Sequence, residues 1–352
     1  MHSQLVVLGG GPGGYAAAFL AADQGMTVAL VEAEPRLGGV CLLRGCIPSK
    51  ALLHVARVIS ESHEMADWGV EIGPPRIDLA KMRARKDRVL TTLSDGLAQL
   101  AKRRKVTVVR GRGFFEESQR LRIEGADPVK FPYKAITYDH CILATGSSPV
   151  VPSVLAGGGD RLWDSTAALE LREIPPRLLV VGGGYIGLEL GTVYAALGSK
   201  VTVVEMTEGL LPGVDRDLVK PLEKRLVREF EAIHLGTRVA SLAASDGGVA
   251  ATFEGRVSRA DERFDRVLVA VGRRPNSKDI GLENTTVKID DAGFVRTDDR
   301  RRTDDPAIVA IGDVAGQPML AHKASHEGKT AVESLLGEGA AFRPLAIPAV
   351  VF

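Results

Sequence analysis

Two cysteines near the N-terminus have the spacing and the surroundings of a redox pair. Four residues separate Cys41 from Cys46, whereas Cys141 lies far along the chain. Three cysteines are too few for a disulfide scaffold, so the count indicates one special pair and one buried residue. Five residues of regular helix rise about 7.5 Å, beyond the usual Cα separation of a disulfide, so the pair requires an irregular turn. The residues that can supply this turn are Gly38, Gly39, Gly45 and Pro48.

Other interpretations of the cysteine pair stay open at this point. Two core cysteines, or half of a metal site, would have the same spacing. No CxxC motif and no nearby pair of histidines supports a metal, and we predict no metal site. A helix N-terminus and the neighbouring Arg44 and Lys50 would favour the thiolate, which is the reactive form of cysteine. These surroundings favour the redox interpretation.

A glycine-rich motif occurs twice in the chain. The two copies are LVVLGGGPGGY and LLVVGGGYIGL. Each begins with a Val- and Leu-rich run that predicts a buried parallel strand, and each ends at the start of an apolar helix. The second copy starts 173 residues after the first (Gly182 against Gly9), and an acidic residue follows 23 residues after each of these glycines. The motif glycines are Gly9, Gly11 and Gly14 in the first copy and Gly182, Gly184 and Gly187 in the second, and the acids are Glu32 and Glu205.

This arrangement is typical of a dinucleotide-binding βαβ unit. Its glycines let backbone approach a pyrophosphate at the helix N-terminus, while the acid bonds a ribose hydroxyl. A tight turn without a ligand is the alternative, and the acid at the expected offset disfavours it. Because an acid repels a 2′-phosphate, Glu205 favours NAD over NADP. Two such sites and a cysteine pair together predict an electron relay.

Composition and charge indicate which classes of partner the protein has. The chain has 352 residues, 45% of them hydrophobic, and 45 Lys and Arg against 44 Asp and Glu give a net charge of +1. This balance predicts neither a nucleic-acid partner nor a membrane partner. The N-terminus begins directly with a strand, so we expect no signal peptide and a cytoplasmic location, where a cysteine pair does redox work.

The order of motifs predicts an α/β fold with two Rossmann-like dinucleotide-binding domains, the second inserted in the first. HCILATGS should be a strand that ends near Ser147, and AIPAVVF at the C-terminus should be another. The expected domain bounds are 1–148 for the first part of the first dinucleotide-binding domain, 149–275 for the second such domain, 276–342 for the second part of the first domain and 343–352 for the start of a further unit.

Several strings resemble one known family. GGVCLLRGCIPSK, the two glycine motifs, ATGS and AIGDV are similar to those of the pyridine nucleotide-disulfide oxidoreductases. Within that family the chain most resembles bacterial dihydrolipoamide dehydrogenases, through CIPSKALLHVA, RLWDSTAALEL and GQPMLAHKASHEG. The resemblance covers essentially the whole chain. Glutathione reductases resemble it less, because they use NADP and carry basic residues where Glu205 stands.

The resemblance implies roles for four catalytic residues. Cys41 corresponds to the interchange thiol that reacts with the lipoyl sulfur, and Cys46 to the thiolate that faces the flavin. Lys50 corresponds to the lysine beside the flavin, with Glu189 as its partner. A surface ion pair of little consequence is the alternative for these two residues. Leu43 and Arg44 depart from the usual Asn-Val between the cysteines, which would alter packing over the disulfide and its potential.

The resemblance also implies the cofactors FAD and NAD, with 1–148 and 276–342 as the FAD-binding domain, 149–275 as the NAD-binding domain and 343–352 as the start of a dimerisation domain. It further implies the residues that contact the cofactors. The positions expected at FAD are Gly9, Gly11, Gly13, Gly14, Glu32, Gly39, Val40, Cys41, Lys50, Gly113, Ala144, Thr145, Gly146, Gly312, Asp313, Met319, Leu320, Ala321 and His322. The positions expected in and around the NAD site are Gly182, Gly184, Tyr185, Ile186, Gly187, Glu189, Glu205, Val239, Ala270, Val271, Gly272 and Arg273.

The implied activity is oxidation of protein-bound dihydrolipoamide by NAD⁺ through the cysteine pair and FAD. The implied partners are the lipoyl domains of 2-oxoacid dehydrogenase complexes or of glycine cleavage, with a homodimer as the full-length form. We do not assign His322 as the catalytic base, because in the family a His-Glu pair of the partner subunit's C-terminal domain has that role. This chain ends at Phe352, before such a domain. We therefore expect weak lipoamide turnover, since general-base assistance is typically worth about 10² to 10⁴ in rate.

Two rival functions have distinct signatures. The chain could be a nucleotide-binding fragment with only diaphorase activity or none, in which case a dithiol would produce no thiolate-to-flavin absorbance band. It could instead be a mercuric or glutathione type of reductase. Substrate assays and the preference for NADH or NADPH separate that rival from a lipoamide enzyme.

Overall fold

The chain forms two compact units in a computed structural model that describes residues 1–351, without the side chains of residues 259 and 260. Unit 1 comprises Met1–Leu43, Leu90–Ser148 and Arg274–Ala349. Unit 2 comprises Arg44–Val89, Pro149–Arg273 and the residues from Val350 onward.

The helices and strands alternate through most of the chain. The α-helices are α1 Pro12–Asp23, α2 Gly39–Arg44, α3 Cys46–Glu64, α4 Leu79–Arg103, α5 Ser165–Leu169, α6 Tyr185–Ala196, α7 Arg216–Glu229 and α8 Ala321–Leu335. Short 3₁₀ helices span Met65–Trp68, Ser153–Arg161, Leu282–Asn284 and Gly312–Ala315. The strands are β1 His2–Leu8, β2 Val28–Glu32, β3 Thr107–Arg110, β4 Arg112–Glu117, β5 Arg120–Glu124, β6 Ala135–Leu143, β7 Ser147–Pro149, β8 Leu162–Trp163, β9 Arg177–Val181, β10 Lys200–Val204, β11 Ala232–His234, β12 Thr237–Ser245, β13 Gly248–Gly255, β14 Arg259–Phe264, β15 Arg266–Val269, β16 Arg273–Pro275 and β17 Ile308–Ala310.

The main sheet of unit 1 is mostly parallel. Its strands run in the order β3-β2-β1-β6-β5-β4, and β17 pairs with the C-terminal half of β6. β1 is parallel to both β2 and β6, whereas β4, β5 and β6 pair antiparallel. The apolar run at the end of β1 is buried, as expected for a parallel strand that helices cover on both faces.

Two helices of unit 1 pack closely through small residues. A Cβ added at Gly13 of α1 would lie 3.0 Å from the carbonyl oxygen of Ala324 in α8, and one added at Gly328 would lie 2.8 Å from the carbonyl oxygen of Gly13. Larger side chains at these positions would push the helices apart. The small residues therefore bring α8 against the N-terminal turn of α1.

Unit 2 contains a fully parallel sheet and an antiparallel one. The parallel sheet has the strand order β11-β10-β9-β15-β8, and the antiparallel sheet joins β12, β13 and β14. Buried side chains of α3, α6 and α7 share one hydrophobic cluster with the parallel sheet. The parallel sheet with its helices is the second Rossmann-like unit.

The α/β fold with two Rossmann-like units is confirmed, as is the insertion of Pro149–Arg273 between two parts of unit 1. Two predicted strands are corrected. β6 ends at Leu143 rather than near Ser147, because the chain turns through Gly146, whose φ is 73°. Residues 346–351 form no strand, since they pair with none of the described strands and an isolated strand is not stable in water.

One helical stretch among residues 1–351, Gly39–Trp68, is long and apolar enough to meet the length and composition test for a membrane span. Core helices also pass this test. Leu52, Leu53 and Ala56 of this stretch are buried in the hydrophobic cluster of unit 2. We therefore describe α3 as a helix packed within that unit.

Candidate functional site

The first glycine motif forms a tight loop between β1 and α1. Gly9 has a φ of 112°, and a Cβ there would overlap the carbonyl oxygen of Ala144. A Cβ at Gly14 would overlap the carbonyl oxygen of Gly9. α1 begins at Pro12 without a side-chain cap on its N-terminus. The loop therefore combines close backbone packing with helix N–H groups that can receive an anionic phosphate, and it fits a dinucleotide pyrophosphate.

The acid of the first motif is held by the same loop. Glu32, only 7% exposed, accepts hydrogen bonds from the backbone N–H of Gly10 at 2.7 Å and of Glu34 at 2.9 Å. A carboxylate oxygen has room for further donors, so Glu32 can accept from a ribose hydroxyl while these bonds orient it.

The second motif repeats this geometry in unit 2. Glu205, 8% exposed, accepts from the N–H of Gly183 at 2.6 Å and of Thr207 at 2.7 Å. A Cβ at Gly182 would lie 2.5 Å from the carbonyl oxygen of Ala270, and one at Gly187 would overlap Gly182. The repeat thus extends from the sequence motif to individual hydrogen bonds, and this loop also fits a dinucleotide.

The segments that follow the two acids also correspond at first. The N–H of Gly38 donates to the Gly10 carbonyl at 2.9 Å, and the N–H of Leu211 donates to the Gly183 carbonyl at 2.9 Å. The copies then diverge. In unit 1 a Cβ at Gly39 would lie 2.5 Å from the Cα of Gly11, so the start of α2 presses on the first loop.

Among the described residues no such cover lies over the second loop. Pro212 is exposed, and apart from the chain neighbours of Gly184 no heavy atom of these residues lies within 4 Å of a Cβ built there. Tyr185 is 39% exposed. Ile186, which stands at the motif position of Gly13 in unit 1, is half-buried against the core cluster of unit 2. The first loop is therefore covered by protein and the second is open.

Ala144, Thr145 and Gly146 follow β6, and Asn276 fixes their loop. The Asn276 amide donates to the Thr145 carbonyl at 3.0 Å, and the Thr145 hydroxyl donates to the Asn276 carbonyl at 2.7 Å. The N–H of Asn276 also donates to the Gly146 carbonyl at 2.9 Å. Sequence analysis did not single out Asn276, because its partners lie far away in the chain.

The Gly312–Asp313 turn is held from two sides. The Ser147 hydroxyl donates to the Asp313 carboxylate at 2.6 Å, and the N–H of Gly312 donates to the Glu327 carboxylate at 2.7 Å. The predicted residues Met319, Leu320, Ala321 and His322 lie at the N-terminal end of α8. His322 Nε2 lies 2.8 Å from the Pro348 carbonyl oxygen. This contact gives His322 a structural partner in unit 1.

The two cysteines flank a break between helices. α2 ends at Arg44 and α3 begins at Cys46, with Gly45 between them at φ −148° and ψ −114°. The irregular turn that the spacing predicts is confirmed. Cys41 follows Val40 on α2 and is half-buried, whereas Cys46 is exposed at the uncapped N-terminus of α3. That position favours a thiolate at Cys46.

Tyr15 is a neighbour of Cys41 that sequence analysis missed. Burial and, second, the charge of the Cys41 thiolate raise the pKa of the Tyr15 phenol. Tyr15 lies on the first turn of α1 and packs near Phe19, with 6.0 Å between their ring centroids. A neutral phenol therefore stands near the predicted interchange thiol.

Lys50 and Glu189 form a partly buried ion pair within unit 2. Lys50 Nζ lies 2.7 Å from Oε1 and 2.8 Å from Oε2 of Glu189, whose side chain is 4% exposed. The buried hydroxyl of Ser49 donates to Glu189 Oε2 at 2.7 Å. This geometry excludes the alternative of a surface ion pair.

Two predicted cofactor contacts lie in packed surroundings. Gly113 is buried on β4, where a Cβ would lie 2.6 Å from Leu8 Cδ1. Val239 is buried on β12 in a hydrophobic cluster that includes Val181. The loop from Ala270 to Arg273 follows β15 directly, with Val271 exposed and Gly272 at φ 138°. Their roles at a cofactor stay predictions.

No group of three or more His, Cys, Asp and Glu side chains within the described part of the chain could hold a metal ion. The candidate functional residues are a nucleotide loop in unit 1, a second nucleotide loop and a Lys-Glu pair in unit 2, and a cysteine pair where the chain passes from Leu43 to Arg44. These parts define a dinucleotide-dependent redox protein.

Comparison with known proteins identifies the family. The model of the pyridine nucleotide-disulphide oxidoreductases matches residues 3–328, and the chain belongs to that family. Dihydrolipoyl dehydrogenase of Vibrio parahaemolyticus is 47% identical over all of this chain and 73% of the relative's length. The same enzyme of Haemophilus influenzae is 46% identical, again over 100% of this chain and 73% of the relative.

Solved structures support the same assignment. LpdA of Mycobacterium tuberculosis matches with a TM-score of 0.87 and 28% identity, over 99% of this chain and 76% of that one. The HOCl-induced flavoprotein disulfide reductase RclA of Escherichia coli matches with a TM-score of 0.83 and 28% identity, over 96% of this chain and 72% of that one. The chain is a flavin-dependent disulfide oxidoreductase, and the predicted cofactors FAD and NAD are confirmed.

Proposed function

We propose that this chain oxidises protein-bound dihydrolipoyl groups with NAD⁺. The observation that carries the proposal is the contact of Gly39 with Gly11, because it places Cys41, two residues further on, beside the first nucleotide loop. The dihydrolipoyl dehydrogenases, at up to 47% identity over the whole chain, support the choice of substrate. Glu205 supports NAD as the acceptor.

Domain roles follow from the two loops. In this proposal residues 1–148 and 276–342 bind FAD, residues 149–275 bind NAD, and residues 343–352 begin a dimerisation domain. The first loop is covered by protein, which suits a cofactor that stays bound. The second loop is open, which suits a cofactor that exchanges at every turnover. The lipoyl domains of 2-oxoacid dehydrogenase complexes are the proposed partners, with a homodimer as the working form and the cytoplasm as the location.

Each group of residues has a defined task in the reaction. Cys41 exchanges with the dihydrolipoyl dithiol, so that the substrate leaves as a cyclic disulfide and the cysteine pair becomes a dithiol. The N-terminus of α3 stabilises Cys46 as a thiolate. FAD, when bound, supplies the two-electron chemistry that joins the cysteine dithiol to NAD⁺. Lys50 and Glu189 hold charge near the flavin, as the family resemblance implies, and Ser49 fixes the Glu189 carboxylate.

The balance of the reaction is simple. One dihydrolipoyl dithiol loses two electrons and two protons and closes to a disulfide. One NAD⁺ gains two electrons and one proton, and the second proton is released to solvent. The cysteine pair opens and closes once in each cycle, so the protein itself is unchanged.

Absorbance spectroscopy tests the proposal directly. We expect the purified chain to carry flavin and, on anaerobic addition of dihydrolipoamide, to develop the long-wavelength band of a thiolate against oxidised flavin. Cys41→Ser should retain a band that Cys46→Ser loses, because Cys46 is the thiol proposed to face the flavin. Bound flavin with no band in the wild type would contradict the redox role.

Substrate assays then distinguish the related reductases. Dihydrolipoamide with NAD⁺ should support turnover, whereas glutathione disulfide or mercuric ion with NADPH should support none above the flavin-only background. A preference for either of the latter substrates would replace the lipoyl assignment while keeping the family.

A further inference from the structure

A buried cluster of charges lies behind the Gly312–Asp313 turn of unit 1. The Glu327 side chain on α8 is 0% exposed. Its Oε1 lies 2.8 Å from a guanidinium nitrogen of Arg301 and 3.1 Å from Lys323 Nζ. Lys323 and Glu327 are thus buried while Arg301 is 14% exposed, and none of the three has a role in the reaction described above.

The cluster is connected to the turn by backbone hydrogen bonds. Glu327 Oε2 accepts from the N–H of Gly312 at 2.7 Å, and Lys323 Nζ donates to the carbonyl oxygen of Gly316 at 3.0 Å. Both ends of the Gly312–Ala315 3₁₀ helix are therefore attached to one ionic group. Gly312 has a φ of 74°, a conformation that glycine adopts readily and other residues rarely.

Helix α8, which carries Glu327, also packs against the first nucleotide loop. The Ser325 hydroxyl lies 3.2 Å from the Pro12 carbonyl oxygen, and Gly328 packs on Gly13. α8 thus connects the loop at the start of α1 with the Gly312–Asp313 turn. A displacement of Glu327 would therefore shift both the loop at the start of α1 and the Gly312–Asp313 turn.

Stability alone does not explain such a cluster. Buried ion pairs are often no more stabilising than hydrophobic residues of the same size. Arg301 also has a φ of 65°, which is unfavourable for a residue other than glycine. The unfavourable backbone of Arg301 and the buried charges of Lys323 and Glu327 belong to one network, and its Glu327 carboxylate accepts the N–H of Gly312, next to Asp313.

We propose that Glu327 is a positioning residue for FAD, whose carboxylate fixes the Gly312–Asp313 turn so that the Asp313 carboxylate, a position expected at FAD, is held in place for the cofactor. Arg301 and Lys323 in turn fix Glu327. The inference rests on the proposed function, because it presupposes that unit 1 binds FAD.

The test measures FAD affinity in apoprotein variants by the quenching of flavin fluorescence. Glu327→Gln should weaken FAD binding about ten- to hundredfold, the effect expected when a hydrogen bond to a charged group is lost. Asp313→Asn should weaken it similarly. The double variant should bind only about threefold more weakly than Asp313→Asn, because Glu327 acts through Asp313.

Lys323 provides a second and milder set of variants. Lys323→Met keeps the hydrogen bond from the Gly312 N–H to Glu327 and leaves Arg301 as the remaining cation. It should weaken FAD binding about three- to tenfold. Lys323→Arg keeps the cation and should restore affinity to within about twofold of the wild type. If Glu327→Gln does not fold, the cycle of Lys323→Met with Asp313→Asn decides in the same way.

Lys86→Met is the matched control. Lys86 is a buried lysine of unit 2 that donates to the Leu169 carbonyl at 2.9 Å. Its loss should lower the urea midpoint of unfolding but leave FAD affinity within about twofold of the wild type, since its partners Leu169 and Asp87 belong to neither nucleotide loop.

Independent, multiplicative losses from Glu327→Gln and Asp313→Asn would overturn the inference, as would equal losses of FAD affinity in Lys86→Met and Lys323→Met. If the wild type binds FAD and forms the thiolate band while Glu327→Gln and Lys323→Met both bind FAD as the wild type does, only the inference fails. If the wild-type chain binds no FAD, the proposed function fails and the inference fails with it.

Discussion

The two nucleotide loops are near copies that differ in what covers them. Each loop turns on a glycine against an alanine carbonyl, and each acid accepts two backbone N–H groups at corresponding positions. The correspondence continues to Gly38 and Leu211. One residue later Gly39 turns back onto the first loop, whereas Pro212 is exposed. We propose that this difference lets the same loop geometry hold FAD permanently in unit 1 and exchange NAD in unit 2.

The largest effects should come from the glycines that each loop cannot replace. Gly14→Ala and Gly187→Ala each place a Cβ in a backbone carbonyl, which costs about 3 kcal/mol or more. Gly14→Ala should abolish flavin retention. Gly187→Ala should leave the flavin in place and raise the dissociation constant for NADH by about a hundredfold, measured by fluorescence titration. Loss of flavin from Gly187→Ala would show that the loops are not independent.

Gly39→Ala should make the first loop resemble the second. Its φ of 59° and the 2.5 Å approach of a Cβ to Gly11 require α2 to move away. We expect FAD to dissociate about tenfold faster, equivalent to ~1.4 kcal/mol, in a stopped-flow or dialysis experiment. Pro212→Ala is the matched control and should leave NAD kinetics unchanged. An unchanged FAD dissociation rate in Gly39→Ala would remove α2 as the cover.

The two acids should have equal and separate effects. Glu32→Gln and Glu205→Gln each keep the shape of the side chain but weaken two charge-assisted hydrogen bonds. Each should weaken binding of its own cofactor about tenfold and leave the other unaffected. Glu205→Gln should also narrow the preference for NADH over NADPH in steady-state assays. An unaltered preference would mean that another residue excludes the 2′-phosphate.

The smallest effect should come from Cys141, which takes part in neither loop. Burial raises the pKa of its thiol. Above about pH 8.5 the unfolded chain loses the Cys141 proton while the folded protein keeps it. The free energy of unfolding therefore falls as the pH rises further. Cys141→Ala should lessen the alkaline loss of stability in urea titrations. In the native protein with the cysteine pair reduced, Cys141 should resist iodoacetamide while Cys46, which is exposed, reacts. Equal labelling of Cys141 and Cys46 would contradict its burial.

The sequence carries most of the information about the loops because their determinants are local. The Gly9 and Gly182 motifs, the acids 23 residues later and the break at Gly45 all follow from short-range spacing and backbone geometry. A predicted strand near the C-terminus was wrong, since β-structure depends on a partner strand that an apolar stretch does not specify.

The residues that support the site were harder to predict. Asn276 acts on partners far away in the chain, and although Ser147 ends the ATGS string, its partner Asp313 also lies far away. Glu327 had a weak signal: it stands four residues after Lys323 on the face of α8 that also buries Ala324 and Ala331. A charged pair on an otherwise apolar helix face indicates a buried network, but only the fold shows that it reaches Gly312.

The most direct test of the account compares the residence of both cofactors in one sample. The protein is loaded with FAD and NAD⁺, passed through a desalting column, and the bound nucleotides are released and quantified. The account predicts that FAD stays with the wild-type chain, that NAD⁺ is lost within the passage, and that Gly39→Ala loses a substantial share of its FAD. Retention of NAD⁺ with loss of FAD, or loss of both at the same rate, would contradict it.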